Sequence, residues 1–259
     1  MTTAHPTAAI DGRPITLAVL DMAGTTVTDD GLVERAFRAA DAAVGLAGDD
    51  AARETMLQYV RDTMGYSKIV VFRHLAHDDE ELAQRANAAF EAAYRDIVSE
   101  GAAEAVPGAA EAIGTLRSAG VATAFTTGFS AETQAALLAS LGWEDIVDVV
   151  LTPADAGRGR PFPDMPLVAL IRTQTESVRN VVVVGDTAND VLSGVRAGAA
   201  ASVGVLTGAH DEAALRAAGA THVLPSIADL PVRRREDDSA PGRGRLPDAF
   251  GRPGAARRP

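Results

Sequence analysis

Asp21 ends a short apolar run and is a candidate nucleophile. Residues 15–20 are rich in branched side chains, too few for a typical helix and soon followed by Gly24, a pattern that predicts a buried strand. Ligands of parallel α/β sheets bind beyond the carboxyl ends of the strands, so we expect Asp21 to face a crevice. A carboxylate there can attack phosphorus and form an aspartyl phosphate. The alternative is that Asp21 only caps the next turn.

Two further segments suit an oxyanion. Thr127 and Gly128 follow a strand predicted over residues 121–126, and a hydroxyl with free backbone amides suits a phosphate oxygen. Arg160 lies in the loop of residues 159–163, and a guanidinium can bind two oxygens of such an anion at once. The alternatives are an ordinary Thr-Gly turn and an exposed loop arginine.

Two carboxylates follow the four consecutive valines of residues 181–184. Asp186 and Asp190 are spaced one helical turn apart, so a helix starting here presents both on one face. Beside Asp21, each like-charge pair at roughly 4 Å costs about 4 kcal/mol at an effective dielectric of about 20. Three carboxylates and a bound anion therefore require a hard divalent cation, and oxygen ligands are typical of Mg²⁺. Acids that only cap a helix are the alternative for Asp186 or Asp190 taken singly.

Lys68 is the single lysine among 24 basic residues, the others being arginine. A lysine can lose its proton when it is desolvated or lies near positive charge, and its amine then attacks carbonyl groups, whereas arginine stays charged. The pattern indicates a catalytic amine. Chance survival of one surface lysine is the alternative.

The alternation of strands and helices along the chain predicts an α/β fold. The expected architecture is a doubly wound Rossmann-like parallel sheet with an inserted helical cap. Strands at residues 15–20, 121–126, 147–151, 181–185, 202–205 and 221–224 alternate with helices, while residues 30–100 show helical periodicity only. We divide the chain into a flexible leader (1–13), a catalytic core (14–29 and 101–231), the cap (30–100) and a disordered tail rich in Arg, Gly and Pro (232–259).

Composition excludes several classes of protein. A net charge of -11 argues against nucleic-acid binding, and the absence of cysteine excludes disulfides and thiolate chemistry. No apolar run is long enough to span a membrane and the first residues do not resemble a signal peptide, so we expect a cytoplasmic protein without membrane partners.

Two motifs resemble one known family. Residues 21–26, Asp-Met-Ala-Gly-Thr-Thr, resemble the first motif of the haloacid dehalogenase superfamily, in the variant of phosphonoacetaldehyde hydrolase (phosphonatase), where Ala23 replaces a second Asp. Residues 64–69, Met-Gly-Tyr-Ser-Lys-Ile, are similar to the cap segment that bears the Schiff-base lysine of phosphonatase. The resemblance covers about residues 15–225 by motif order and implies a cap-mediated homodimer.

The resemblance also implies a role for each site residue. Asp21, Lys68 and Arg160 would be catalytic, and Gly65, Thr127, Gly128 and Arg160 would bind the substrate. Mg²⁺ would be held by Asp21, Asp186 and the Ala23 carbonyl, with Asp190 and Thr187 supporting these ligands.

Ala23 narrows the expected reaction. In phosphoester hydrolases of this superfamily, an Asp at this position protonates the leaving oxygen, which Ala cannot do. A carbon leaving group beside a carbonyl instead needs an iminium to accept the electrons of the broken bond, and Lys68 can form one. A helix beginning at Lys68 and capped by Ser67 would favour the neutral amine. We expect cleavage of the carbon-phosphorus bond of a 2-oxoalkyl phosphonate; the alternative is a Mg²⁺-dependent phosphate monoesterase.

Three positions depart from the phosphonatase pattern. Val71, Phe129 and Asp164 stand where phosphonatase has histidine, tyrosine and tryptophan, so the substrate is expected to be phosphonoacetaldehyde or a relative of it. His74 and His77 could replace the missing proton shuttle or lie on the surface. We interpret Asp164 as a helix N-cap.

Overall fold

The computed structural model describes residues 8–231 and the backbone of Arg233 and Arg234. Its strands are β1 (Ala8–Ile10), β2 (Arg13–Ile15), β3 (Leu17–Asp21), β4 (Ala122–Thr126), β5 (Val149–Leu151), β6 (Val181–Gly185), β7 (Ala201–Val205), β8 (His222–Leu224) and β9 (Arg233–Arg234). Its α-helices are α1 (Leu32–Val44), α2 (Asp50–Asp62), α3 (Lys68–Leu75), α4 (Glu80–Ser99), α5 (Ala109–Ser118), α6 (Ala131–Leu141), α7 (Pro153–Ala156), α8 (Asp164–Arg172), α9 (Ala188–Ala197) and α10 (Glu212–Ala217).

Six strands form the central sheet in the order β5-β4-β3-β6-β7-β8, and every neighbouring pair is parallel. Ala18 and Leu20 of β3 belong to one apolar cluster and Leu17 and Val19 to another, so both faces of the sheet are covered. Strands buried on both faces explain the continuous apolar runs of the sequence. The doubly wound α/β class is confirmed.

Three of the helices between β3 and β4, namely α1, α3 and α4, pack around aromatic side chains. The ring centroid of Phe37 in α1 lies 4.8 Å from that of Phe72 in α3 and 4.7 Å from that of Phe90 in α4. The predicted insertion is therefore helical, while its assignment as a separate domain over residues 30–100 stays a prediction.

The prediction of a flexible leader is wrong over residues 8–13. Here β1 and β2 form an antiparallel hairpin, with Ala8 opposite Ile15. Ala8, Ile10 and Ile15 are buried, and Asp11 and Gly12 adopt the positive φ angles that such a hairpin turn requires. An Asp-Gly pair between alternating apolar residues is a hairpin signal in the sequence. Residues 1–7 lie outside the described residues.

The predicted disordered tail is also wrong at its start. Arg233 and Arg234 form β9, which pairs antiparallel with β1 opposite Ala9 and Ala8. Main-chain hydrogen bonding to the free edge of the hairpin overrides the polar composition of this segment. Residue 232 and residues 235–259 lie outside the described residues.

Among the helices described, none is both long enough and apolar enough to cross a membrane.

Candidate active site

The predicted site residues meet at the carboxyl edge of the sheet. Asp21 is the last residue of β3 and lies beside Thr126, the last residue of β4. The turn after β4 and the segment after β6 therefore leave the sheet at one edge. A cavity of about 30 Å³ lies there. It is lined by all the predicted site residues except Asp190, namely Asp21, Ala23, Gly65, Lys68, Thr127, Gly128, Arg160, Asp186 and Thr187.

Arg160 connects the candidate nucleophile, Asp21, to Asp190. Its Nη1 donates a hydrogen bond to Oδ1 of Asp21 at 2.6 Å and another to Oδ1 of Asp190, and all three side chains are buried. Burial raises the pKa of Asp21 to about 6 even though the Arg160 guanidinium opposes the shift. The Nε of Arg160 is buried without a hydrogen-bond partner among the described residues. Arg160 is a buried cation in the cavity wall, not an exposed loop residue.

Asp186 is held by its own set of donors. The Thr25 hydroxyl donates to its Oδ1 at 3.1 Å, and the Ala209 N–H donates to its Oδ2 at 2.8 Å. Burial raises its pKa well above the usual carboxyl range, and the like charges of Asp21 and Asp190 add to the effect. The single positive charge of Arg160 is therefore too little to neutralise the carboxylates of Asp21, Asp186 and Asp190.

Asp21, Asp186 and Asp190 form a group that can hold a divalent metal ion. One carboxylate oxygen from each lies within 4.8 Å of the others, and all three residues are buried. Hard oxygen donors and excess negative charge fit such an ion. The two carboxylate oxygens of Asp190 already accept hydrogen bonds from Arg160 and Thr187. This agrees with the prediction that Asp190 supports the metal ligands Asp21 and Asp186 and is not itself a ligand.

The Lys68 amine lies in an aromatic box. Its Nζ is 6.0, 5.9 and 5.3 Å from the ring centroids of Phe37, Phe90 and Phe129. Burial lowers the pKa of Lys68, and the opposing charge of Asp29 is the next largest effect. Its amine has neither a hydrogen bond nor an ion pair with any described residue. Burial thus favours the neutral, nucleophilic amine, although the ring faces attract the charged form.

Backbone contacts dock the lysine segment on the core. The Lys68 N–H donates to the Gly128 carbonyl at 3.2 Å, and Asn189 donates to the Met64 carbonyl at 2.7 Å. Gly65 has a φ of 87°, and a Cβ on it would lie 2.6 Å from Oγ1 of Thr187. Glycine at position 65 therefore allows the backbone to approach Thr187, the residue before α9, closely.

Two predictions about helix starts need correction. Ser67 precedes α3 as expected, but its side chain makes no capping bond. The N-cap of α8 is Pro163, so Asp164 is the first helical residue and not the N-cap. Its carboxylate accepts two hydrogen bonds from Arg158, at 2.8 and 2.7 Å, and this pairing takes the place of the capping bond.

Two residues close to the lysine pocket, Asp29 and Tyr94, were not predicted from the sequence as site residues. Asp29 lines the cavity, and burial raises its pKa. Tyr94 is fully buried, and its hydroxyl has no hydrogen-bond partner among the described residues. A polar pair at residues 29–30 was the available signal for Asp29, but its spacing does not distinguish a site residue from a loop residue. His74 stacks on Tyr59 with centroids 4.0 Å apart and lines neither the cavity nor the groove beside it.

A wider groove adjoins the cavity. Its volume is about 770 Å³, and Lys68, Gly128, Phe129 and Arg160 line both spaces. The amine and the guanidinium therefore lie where the two spaces meet.

Several proteins of known name are similar to this chain over part or most of its length. It is 31% identical over 153 residues to phosphonoacetaldehyde hydrolase of Parabacteroides distasonis, a match that covers 49% of this chain and 57% of that enzyme's length. It is 27% identical over 232 residues to probable phosphatase IndB of Dickeya dadantii, covering 83% and 97% of the two chains. The crystal structure of a phosphonoacetaldehyde hydrolase-like protein from Oleispira antarctica superposes with a TM-score of 0.71 at 25% identity, covering 89% and 94%.

A family model agrees with the fold. The haloacid dehalogenase-like hydrolase model matches residues 15–198, well over half of the chain. The matched range begins before Asp21 and ends after Asp190, so it includes every predicted site residue. The chain therefore belongs to the haloacid dehalogenase-like hydrolases.

Proposed function

We propose that this hydrolase cleaves the carbon-phosphorus bond of a 2-oxoalkyl phosphonate, phosphonoacetaldehyde or a relative. One observation carries the proposal: a buried lysine amine without an ion-pair partner among the described residues lines the same cavity as Asp21. A phosphate monoesterase has no evident use for such an amine. The similarity to phosphonoacetaldehyde hydrolases, with Ala23 replacing an acid, adds support.

The proposed reaction begins at the carbonyl group. The neutral Lys68 amine adds to the carbonyl carbon, and loss of water leaves an iminium. Asp21 then attacks phosphorus; the electrons of the carbon-phosphorus bond move into an enamine, and the phosphoryl group stays on Asp21. The enamine carbon takes a proton from water, which converts the enamine into an imine. Water then hydrolyses the aspartyl phosphate and the imine, releasing phosphate and the carbonyl product and freeing Asp21 and Lys68.

Arg160, Thr127 and Gly128 would hold the phosphonate oxygens. The buried Nε of Arg160 has no partner among the described residues, so this guanidinium retains a donor beyond its contacts with Asp21 and Asp190. Asp21, Asp186 and the Ala23 carbonyl would hold Mg²⁺, which when bound neutralises charge between the nucleophile and the phosphonate. The homodimer and the cytoplasmic location stay predictions.

Borohydride trapping tests the proposal. The protein is incubated with phosphonoacetaldehyde and Mg²⁺, reduced, digested and analysed by mass spectrometry. We expect a reduced adduct on the Lys68 peptide, and in Asp21→Asn an adduct that still contains phosphorus. Lys68→Arg should abolish both adduct and phosphate release. A wild-type protein that releases phosphate from the phosphonate without a Lys68 adduct would overturn the mechanism.

A Mg²⁺-dependent phosphate monoesterase is the second candidate. It is favoured by the match to probable phosphatase IndB, which spans 97% of that protein. A phosphate-release screen over phosphoesters and oxoalkyl phosphonates separates the candidates. Turnover of phosphoesters alone, unchanged in Lys68→Arg, would establish the monoesterase.

A further inference from the structure

A third carboxyl group, besides those of Asp21 and Asp186, lines the cavity with the Lys68 amine. Asp29 lies between β3 and α1 and lines the cavity together with Asp21, Lys68 and Arg160. It therefore stands at the reaction centre without belonging to the group of Asp21, Asp186 and Asp190.

The start of α1 holds Asp29 in place. Its Oδ1 accepts a hydrogen bond from the Val33 N–H at 3.1 Å, and its carbonyl accepts one from the Leu32 N–H at 2.6 Å. Its Oδ2 has no hydrogen bond, and its carboxylate no ion pair, with any described residue. One oxygen thus anchors the side chain while the other is available to a ligand.

The surroundings of Asp29 and Lys68 favour the neutral form of both groups. Burial raises the pKa of Asp29, although the Val33 N–H and the Lys68 charge oppose the shift. Burial also lowers the pKa of Lys68. A neutral amine beside a protonated carboxyl is the combination that imine formation requires, because the amine must attack and water must leave.

Other groups near the amine are less suited to supply that proton. Burial raises the pKa of the Tyr94 hydroxyl, which makes it a weaker acid, and Glu91 accepts hydrogen bonds from the Ser130 N–H and hydroxyl. Val71 and Phe129 carry no exchangeable proton, and His74 stacks on Tyr59 away from the cavity. Asp21 is bound by Arg160 and is the proposed nucleophile. Among the cavity-lining carboxyl groups described, Asp186 is engaged by two donors, which leaves Asp29.

We propose that Asp29 is the acid and base for the Schiff-base step at Lys68, an inference that rests on the proposed function. The protonated Asp29 gives its proton to the carbonyl oxygen as the amine adds to the carbonyl carbon. The resulting Asp29 carboxylate takes a proton from the nitrogen, which leaves a neutral carbinolamine and a protonated Asp29. Asp29 then passes this proton to the carbinolamine hydroxyl. The carbon-oxygen bond then breaks, water leaves, and the nitrogen lone pair forms the iminium opposite the Asp29 carboxylate.

Asp29→Asn tests this role, with Asp30→Asn as the matched control on the adjacent exposed residue. The readout is the rate at which borohydride traps the Lys68 adduct with phosphonoacetaldehyde. Loss of a general acid costs about 10²–10⁴-fold, so we expect at least a hundredfold slower trapping in Asp29→Asn and an unchanged rate in Asp30→Asn. Asp29→Glu, which keeps the acid, should recover part of the rate.

The outcomes separate the two proposals. Wild-type trapping with an equal rate in Asp29→Asn overturns the role of Asp29 and leaves the Lys68 mechanism intact. Wild-type turnover without any adduct overturns the proposed function itself. If Asp29→Asn does not fold, Asp29→Ser retains an oxygen acceptor for the Val33 N–H without an acidic proton, and an unchanged trapping rate in that variant overturns the role equally.

Discussion

The backbone N–H of Lys68 donates a hydrogen bond of 3.2 Å to the carbonyl of Gly128. The first residue of α3 is thereby joined to the turn that follows β4. The position of the amine relative to Asp21 thus depends on backbone contacts between the inserted helices and the sheet edge.

Gly128→Ala should reduce activity by displacing the lysine segment. A Cβ on Gly128 would collide with the Tyr66 carbonyl oxygen, so the segment that carries Lys68 must move. A shift of about 1 Å costs roughly a hundredfold in rate, which we expect in kcat for phosphate release. Gly114→Ala is the control, because Gly114 lies in α5 with nothing within 4 Å of an added Cβ. It should leave kcat unchanged and stabilise the protein by about 0.5–1 kcal/mol.

Arg160→Met should both destabilise and inactivate the protein. Without the guanidinium, Asp21 and Asp190 are left as buried, unpaired carboxylates, and breaking a buried pair costs about 3–5 kcal/mol. We expect urea unfolding at a lower midpoint and kcat/KM reduced more than about a hundredfold. Arg158→Met is the control, since Arg158 is exposed and pairs with Asp164. Equal unfolding midpoints for the two variants would contradict the buried role of Arg160.

Asp186→Asn should remove metal-dependent stabilisation. Saturating Mg²⁺, at about 100 times its Kd, should stabilise the wild-type protein by about 2.7 kcal/mol, and chelation should abolish activity. The variant retains its contacts with Ala209 and Thr25 because the Thr25 hydroxyl can reorient. Thermal unfolding with and without Mg²⁺ measures the difference, and Asp62→Asn on the surface of α2 serves as control. A full Mg²⁺ effect in Asp186→Asn would refute its place among the ligands.

Lys68→Met should alter how stability depends on pH. Burial lowers the pKa of Lys68 in the folded protein below its ordinary value of 10.5. Between the folded pKa and 10.5 the unfolded chain binds a proton that the folded chain does not, so the free energy of unfolding rises with pH, by at most about 1.4 kcal/mol per pH unit. Below that window the buried charge destabilises the wild type in full, and Lys68→Met should be the more stable protein.

Urea unfolding at a series of pH values checks this prediction. The stability advantage of Lys68→Met should shrink as the pH rises through the window and vanish above 10.5. An advantage that is constant with pH would indicate that Lys68 keeps its ordinary pKa.

The sheet could be predicted from the sequence because its signals are local. The valines of β6 are buried on both faces, and a continuous apolar run predicts such a strand. The abrupt change from apolar residues to Asp21 marks the strand end, and parallel strands then bring their carboxyl ends to one edge. The hairpin of β1 and β2 had a signal of the same kind in its Asp-Gly turn.

The surroundings of Lys68 could not be predicted in this way. Phe37, Phe90 and Phe129 are far apart in the sequence, and only the packing of the inserted helices on the core brings their rings to the amine. The same packing places Asp29 in the cavity, although its position in the sequence resembles that of any polar loop residue.

By itself, therefore, the sequence determined which residue types stand at the ends of the strands. It also determined that Lys68 is the single lysine side chain. The tertiary structure decided what each of those groups faces. Burial and neighbouring charge, which set the pKa values of Asp21, Asp29 and Lys68, are properties of long-range packing and are absent from the local pattern of residues.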